Sequence, residues 1–245
     1  MLFTSFSPAF FFGIDPIWML ITLVAGGISM LASSRVKRTF LRYAGVGVQT
    51  GLTGAEAAER VAHAGGAMDV TIERHGGFLS DHYDPRSKTL RLSPDVYDGR
   101  SISSIAVAAH EAGHAIQHAQ AYAWLGFRSK MVPVYSIGSR LWIVPFMIGA
   151  MLTAGAGGIG QTLMILGVAL FATILVFQLV TLPVEFDASN RAKAVLASTG
   201  IVTTAEEAEG VEDVLGAAAM TYVAAAFGSM IQLIYLVMRV TGRND

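Results

Sequence analysis

The sequence contains no cysteine and unusually little charge. Without cysteine the chain can form no disulfide framework, and any zinc site must use histidine, aspartate or glutamate as ligands. Charged residues make up only 14% of the 245 residues, whereas a typical soluble domain has about 25%. The formal net charge of −1 gives no reason to expect a nucleic-acid partner. A hydrophobic content of 53% and a mean hydropathy of +0.53 instead indicate membrane segments.

Four apolar stretches are candidates for crossing a bilayer, for which a helix needs about 20 residues. They cover approximately residues 16–32, 131–154, 162–182 and 215–240. We expect the first to be a retained anchor rather than a signal peptide, because residues 1–15 contain neither lysine nor arginine. The four stretches predict a mainly α-helical integral membrane protein.

Lysine and arginine are distributed unevenly along the chain. Twelve of the 17 lie between Arg35 and Lys130, and Arg191 and Lys193 lie between the third and fourth apolar stretches. With four crossings, both polar segments fall on the same side of the membrane, and cytoplasmic segments carry the excess of basic residues. We therefore expect a multi-pass protein of the plasma or inner membrane whose polar segments face the cytoplasm.

The first polar segment has the pattern of a small α+β domain. Thr53 and Glu56 fit a capping box, in which each side chain bonds the backbone N–H of the other residue, and they predict a helix start. The turn sequence Asp84-Pro85-Arg86-Ser87 predicts a hairpin. The predicted elements are helices over about residues 55–64 and 103–117 and strands over about residues 70–74 and 88–93.

The second predicted helix carries the motif His110-Glu111-Ala112-Gly113-His114. Residues four apart on a helix share one face about 6 Å apart along the axis, so two imidazoles can bind one metal ion. The glutamate between them can take a proton from water beside the metal. Six histidines and nine glutamates give a chance expectation of about 0.005 for this pattern, so coincidence is a poor explanation. We expect the small residues around the motif to leave room for metal, water and substrate.

A catalytic zinc site needs a third protein ligand and one open position. His118 is nearby, but on a straight helix it lies about 12 Å along the axis from His110, so we expect it to support the site rather than bind the metal. Glu185 is the better candidate, because it lies where the third apolar stretch returns to the side of the motif, beside a helix-kinking Pro183. The alternative is a solvated acid at a helix start. Asp187 could orient a ligating histidine.

His82 and Tyr83 lie in the predicted hairpin that precedes the motif helix. An imidazole N–H and a phenol O–H are both hydrogen-bond donors. The two residues could therefore bind substrate or stabilise the oxygen that becomes negative during peptide hydrolysis. The simpler interpretation is that both lie on a strand surface.

Several segments resemble the YugP-like neutral zinc metallopeptidases of bacteria. The similar segments are Gly51-Leu52-Thr53-Gly54, Asp81-His82-Tyr83-Asp84-Pro85-Arg86, Arg91-Leu92-Ser93-Pro94, Ala108-Ala109-His110-Glu111-Ala112-Gly113-His114 and Leu182-Pro183-Val184-Glu185-Phe186-Asp187-Ala188-Ser189. The resemblance covers nearly the whole chain and implies a membrane-anchored zinc peptidase.

A more distant similarity links the chain to the HtpX and CAAX-prenyl-protease membrane metallopeptidases. It implies an active site at the cytoplasmic face and a third ligand from a later helix, which corresponds to Glu185. Those proteins carry aspartate four residues after this ligand, where this chain has Ser189, so the role of Asp187 stays open. By analogy, residues 88–93 could bind an extended substrate.

These observations predict a membrane-embedded zinc endopeptidase acting on peptide bonds of membrane-associated or unfolded proteins. One Zn²⁺ per chain would be held by His110, His114 and Glu185, with Glu111 as the general base. The alternative is a membrane scaffold or quality-control adaptor that binds zinc without cleaving, although binding alone needs no base. The predicted segments are an anchor at 1–34, a zincin-like catalytic domain at 35–130, a transmembrane hairpin at 131–183, a cytoplasmic helical segment with the third ligand at 184–213 and a final transmembrane helix at 214–245.

Overall fold

The structure is a computed structural model that describes residues 15–152 and 158–242. Parts of the predicted anchor, hairpin and final helix (residues 1–14, 153–157 and 243–245) lie outside the described residues. The described elements are α1 (Pro16–Ala44), α2 (Gly54–Ala64), β1 (Thr71–Arg74), β2 (His82–Asp84), β3 (Thr89–Leu92), α3 (Pro94–Tyr97), α4 (Ile102–Ala119), α5 (Ala123–Leu141), α6 (Ile143–Leu152), α7 (Gly158–Ser198) and α8 (Ala205–Thr241). The prediction of a mainly α-helical protein with a small sheet is confirmed.

Four helical segments within the described residues are long and apolar enough to cross a membrane. They are Pro16–Ala44, Ala123–Leu152, Gly158–Ser198 and Ala205–Thr241. Each contains most or all of one predicted apolar stretch, so the chain is a multi-pass membrane protein, as predicted. Large apolar side chains such as Leu23, Met30 and Ile159 are exposed, as expected where the surroundings are lipid rather than water.

The chain forms two compact units. The first consists of the described parts of Met1–Leu31, Arg128–Val180 and Tyr222–Asp245. Aromatic side chains pack inside it, with the ring of Trp18 lying 5.8 Å from that of Trp142 and 5.9 Å from that of Tyr235. The second unit consists of Ala32–Phe127 and Thr181–Thr221, and it contains every candidate site residue.

The sheet of the second unit has three strands in the order β1-β3-β2. β2 and β3 form an antiparallel hairpin at the predicted turn, where Asp84 accepts hydrogen bonds from Arg86 N and Ser87 Oγ. The first arm of this hairpin is His82–Asp84 and not the predicted strand at 70–74. β1 pairs with β3 in parallel. β3 is therefore the central strand, and its backbone groups are paired on both sides. The suggestion that residues 88–93 bind an extended substrate is wrong for this reason.

Helices α2 and α4 pack against each other in the core of this unit. The capping box of α2 is present, with Thr53 Oγ1 accepting from Glu56 N at 3.2 Å and Glu56 Oε2 accepting from Thr53 N at 2.7 Å. α4 begins after Ser101, whose hydroxyl accepts a hydrogen bond from Ser104 N. These local bonds stabilise the first turn of each helix and mark where it starts.

The alanines around the motif are packed rather than open. Ala106, Ala108, Ala109, Ala112 and Ala115 are at most 1% exposed and belong to the main core cluster. The expectation that these small residues leave room for substrate is therefore wrong. Their size instead lets neighbouring elements approach the motif helix closely.

Candidate metal centre

Three potential metal ligands meet in the second unit. α4 contributes His110 and His114, and α7 contributes Glu185. The Oε2 atom of Glu185 lies 3.3 Å from His110 Nε2 and 3.6 Å from His114 Nε2. All three donor atoms lie within 4.8 Å of one another, and among the described residues no other group of three histidines or acids comes this close.

The distances from Glu185 to the two histidines fit a zinc ion. Nitrogen and oxygen ligands lie about 2.0–2.2 Å from zinc, so neighbouring donors in a tetrahedral site are about 3.3–3.6 Å apart. The separations of Glu185 from His110 and His114 fall in this range. Two imidazoles and one carboxylate are also a donor set that catalytic zinc sites use. The residues therefore fit the ion that the motif predicts.

Glu185 lies in the interior of a helix, not at a helix start. α7 is continuous from Gly158 to Ser198 and includes Pro183, and Glu185 is only 2% exposed. The alternative of a solvated acid at a helix start is therefore wrong. An isolated buried carboxylate is unfavourable, and the two histidines supply its polar partners.

Gly113, inside the motif, allows α7 to approach α4. A Cβ atom at this position would lie 2.4 Å from the carbonyl oxygen of Ala188. This oxygen belongs to the backbone, so it cannot move aside without moving α7. Ala188 lies between Glu185 and Ser189 in sequence, so the missing side chain at Gly113 determines how close the α7 residues come to the two histidines.

The second nitrogen of each histidine has its own partner. His110 Nδ1 lies 3.1 Å from Ser189 Oγ, and His114 Nδ1 lies 3.0 Å from Gln117 Oε1. When Nδ1 carries the proton and donates it to such an oxygen, the lone pair is left on Nε2, the nitrogen nearer Glu185. The amide oxygen of Gln117 only accepts, so its contact favours metal binding through Nε2 of His114. The hydroxyl of Ser189 can accept or donate, so its contact is compatible with the same tautomer of His110.

Sequence reasoning did not assign these two oxygen partners. Gln117 follows His114 by three residues, a spacing that places two side chains on the same helix face. Ser189 follows Glu185 by four residues, at the position where the HtpX-like proteins carry aspartate. Both spacings could therefore have suggested that these residues lie near the ligands. Only the structure identifies which atoms are in contact.

Asp187 reaches the histidines only through another residue. Its Oδ2 atom accepts a hydrogen bond from Gln117 Nε2 at 2.7 Å, and it forms an ion pair with Arg191. The suggested contact between Asp187 and a ligating histidine is thus replaced by a chain in which Gln117 lies between the two.

His118 and Tyr83 form a separate pair. The hydroxyl of Tyr83 and His118 Nδ1 are 2.8 Å apart, and His118 is not in the ligand group. Burial, together with the charges of Asp69 and Asp84, raises the pKa of Tyr83 to about 12. The phenol therefore keeps its proton at neutral pH. His82 is exposed, and its Nδ1 faces the carbonyl oxygen of Ser80.

Acidic neighbours raise the pKa of His114. Burial acts to lower its pKa, but the hydrogen bond and the negative charge of Glu185 outweigh burial and raise the pKa. The charge of Glu111 acts in the same direction. A metal ion must displace this proton, so metal binding weakens as the pH falls.

The fold and these residues define a class of protein: a multi-pass helical membrane protein with a buried group of two histidines and a glutamate that can bind a metal. The model of the family described as "Putative neutral zinc metallopeptidase" matches residues 18–241, and the chain belongs to this family. The chain is 45% identical over 230 residues to "Putative membrane protease YugP" of Bacillus subtilis (strain 168), an alignment that covers 94% of this chain and 99% of the relative. No solved structure matches the chain.

Proposed function

We propose that the protein is a zinc-dependent endopeptidase that hydrolyses peptide bonds in membrane-associated or unfolded proteins. The observation that carries this proposal is the convergence of His110, His114 and Glu185 beside the glutamate of the motif. The family described as a neutral zinc metallopeptidase and the relative described as a membrane protease support it.

In the proposed reaction the metal would act as a Lewis acid and Glu111 as the general base. Bound zinc would polarise the scissile carbonyl and lower the pKa of water to about 7. Glu111 follows His110 directly on α4 and is 9% exposed, so it is mostly buried beside the candidate ligands. In the proposal it takes a proton from the attacking water and passes it to the leaving amine.

β2 is the proposed substrate-binding strand. It is an edge strand of the sheet, so one side of its backbone is not paired within the sheet, and it contacts α4. An extended peptide could add to this edge through backbone hydrogen bonds. Tyr83 keeps its proton, but its hydroxyl lies 2.8 Å from His118 Nδ1, so it would have to exchange this contact to donate to substrate. His82 is exposed and would donate from the ring nitrogen that does not face Ser80 O.

The proposal is tested with Glu111→Gln. We expect this variant to keep about one zinc per chain, because the three ligands are unchanged. Cleavage of an unfolded casein-like substrate should be lost, because an amide cannot accept the proton. Glu59→Gln, at an exposed position on α2, is the matched control and should behave like the wild type.

Two outcomes would contradict the proposal. Cleavage by Glu111→Gln at the wild-type rate would show that Glu111 is not the base. Zinc binding without cleavage by the wild type would favour the scaffold or adaptor instead. Comparison of membrane proteins from cells with the wild type and with Glu111→Gln would identify substrates as proteins that accumulate intact.

A further inference from the structure

Gln117 is the fully buried centre of a chain of polar contacts. It lies one turn after His114 on α4 and is 0% exposed. Its amide has three partners: Oε1 lies 3.0 Å from His114 Nδ1, and Nε2 lies 2.8 Å from Val184 O and 2.7 Å from Asp187 Oδ2. One side chain thus connects a candidate metal ligand on α4 to the backbone and a carboxylate of α7.

These partners determine which way the amide points. A backbone carbonyl and an ionised carboxylate only accept hydrogen bonds, so Val184 and Asp187 must both face the NH₂ group of Gln117. Both hydrogens of this NH₂ group are then donated, one to Val184 O and one to Asp187 Oδ2. The oxygen must face His114, and because this oxygen only accepts, Nδ1 of His114 must carry the proton. The neutral imidazole therefore has its lone pair on Nε2, the nitrogen 3.6 Å from Glu185 Oε2.

Asp187 is itself held in place. Arg191 forms an ion pair with Asp187, donates a hydrogen bond to Gln120 Oε1 and lies over the ring of Tyr122 at 5.4 Å. Arg191 and Gln117 thus both donate to the same oxygen of Asp187, Oδ2, and Arg191 keeps that oxygen in place for the amide. A rotated amide would set its oxygen against two acceptors, so this arrangement strongly disfavours rotation.

We propose that Gln117 is a positioning residue that selects the tautomer of His114 able to bind metal through Nε2, with Asp187 and Arg191 holding its amide. This inference adds a residue to the proposed zinc site, and it rests on the proposed function because the tautomer matters only if His114 binds zinc. A purely structural Gln117 would tie α4 to α7 without changing which nitrogen of His114 carries the proton. The two roles therefore differ in a measurable property of the imidazole.

The first test is the tautomer of His114 in metal-free protein. In ¹⁵N-histidine-labelled protein at a pH well above the pKa of His114, NMR should find the proton on Nδ1, in a signal identified by its loss in His114→Ala. Gln117→Leu, which keeps the volume, should move a large part of this population to the Nε2–H form. Zinc affinity should fall about 10- to 100-fold, as is typical when the partner of a ligating histidine is lost.

Ser103→Ala is the matched control. Ser103 is buried on the same helix and donates a hydrogen bond to Phe40 O at 2.7 Å, away from the ligands. The variant should lose stability but keep the tautomer and the zinc affinity. An unchanged tautomer in Gln117→Leu would overturn the inference. This measurement needs no zinc, so a wild type that fails to bind zinc would instead count against the proposed function.

The second test exchanges the donor and the acceptor in the hydrogen bond between residues 117 and 187. Gln117→Glu can still accept from His114, but it sets one carboxylate against that of Asp187, so zinc affinity should fall. Adding Asp187→Asn supplies an N–H donor and should recover most of the lost affinity. A double variant that binds zinc no better than Gln117→Glu alone would show that Asp187 does not act through Gln117.

Discussion

His118 and Glu185 are the two side chains that could complete a site with His110 and His114. His118 follows His114 by one turn of the same helix, but its Nδ1 contacts the hydroxyl of Tyr83 instead. Glu185 is distant in sequence, yet its carboxylate lies within 3.6 Å of a nitrogen of each histidine. These contacts support Glu185 as the third ligand.

We therefore predict opposite outcomes for two alanine variants. Glu185→Ala should bind zinc far more weakly than the wild type and should not cleave, because one of three ligands is lost. His118→Ala should lose less than about tenfold in zinc affinity, since among the described residues His118 bonds Tyr83 rather than a candidate ligand, and loss of a ligand's own partner is what costs about 10- to 100-fold. Chelator competition on both variants in the same detergent measures this. Loss of zinc in His118→Ala with retention in Glu185→Ala would reverse the ligand assignment.

Elements with local signals could be predicted from the sequence. The capping box of α2 and the turn between β2 and β3 involve residues within a few positions of each other. The parallel pairing of β1 with β3 could not, because it joins residues 18 positions apart through a separate strand, such as Thr71 with Thr89. The full length of α7 could not be predicted either, because hydropathy marks only its apolar part and the helix continues in polar sequence to Ser198.

The close approach of α4 and α7 predicts an unusual effect of Gly113→Ala. Alanine normally stabilises a helix by about 1 kcal/mol relative to glycine. Here the new Cβ would lie 2.4 Å from Ala188 O, and such overpacking costs about 1–3 kcal/mol. The helix that carries Glu185 must shift, so we expect a lower unfolding temperature and weaker zinc binding.

Gly126→Ala provides the control for this prediction. Gly126 is also in a helix, α5, but a Cβ there meets no atom within 4 Å. This variant should be as stable as the wild type or slightly more so, with unchanged zinc affinity. If Gly113→Ala matched Gly126→Ala in thermal unfolding and zinc titration, the contact at Ala188 would not control the position of Glu185.

The second unit constrains the path of the whole chain. It combines residues 32–127 with residues 181–221, and contacts join the two segments at several points besides the candidate site. For example, Tyr43 donates a hydrogen bond to Asp213 Oδ2 at 2.7 Å. Both segments must therefore lie on the same side of a membrane, which requires an even number of crossings between them. The apolar stretches of the sequence predict this even number of crossings, but they do not predict which atoms of the two segments are in contact.

The side that this unit faces follows from charge, and we predict that it is the cytoplasm. Fourteen of the 17 lysines and arginines lie between residues 35 and 130 or at residues 191 and 193, and basic residues accumulate in cytoplasmic segments. The chain has no cysteine, so single-cysteine variants carry no background. Arg86→Cys introduces one in the exposed turn after β2, and Thr241→Cys introduces one at the exposed end of α8.

With four crossings these two positions lie on opposite sides of the membrane. A membrane-impermeant maleimide added to intact spheroplasts should label Thr241→Cys, and it should label Arg86→Cys only after the membrane is permeabilised. Zinc content of each purified variant provides the control that the second unit is folded. Labelling of Arg86→Cys in intact spheroplasts, with Thr241→Cys protected, would place the candidate site outside the cell. Such a site could act only on exported or externally exposed protein segments, so the orientation also decides which proteins can be substrates.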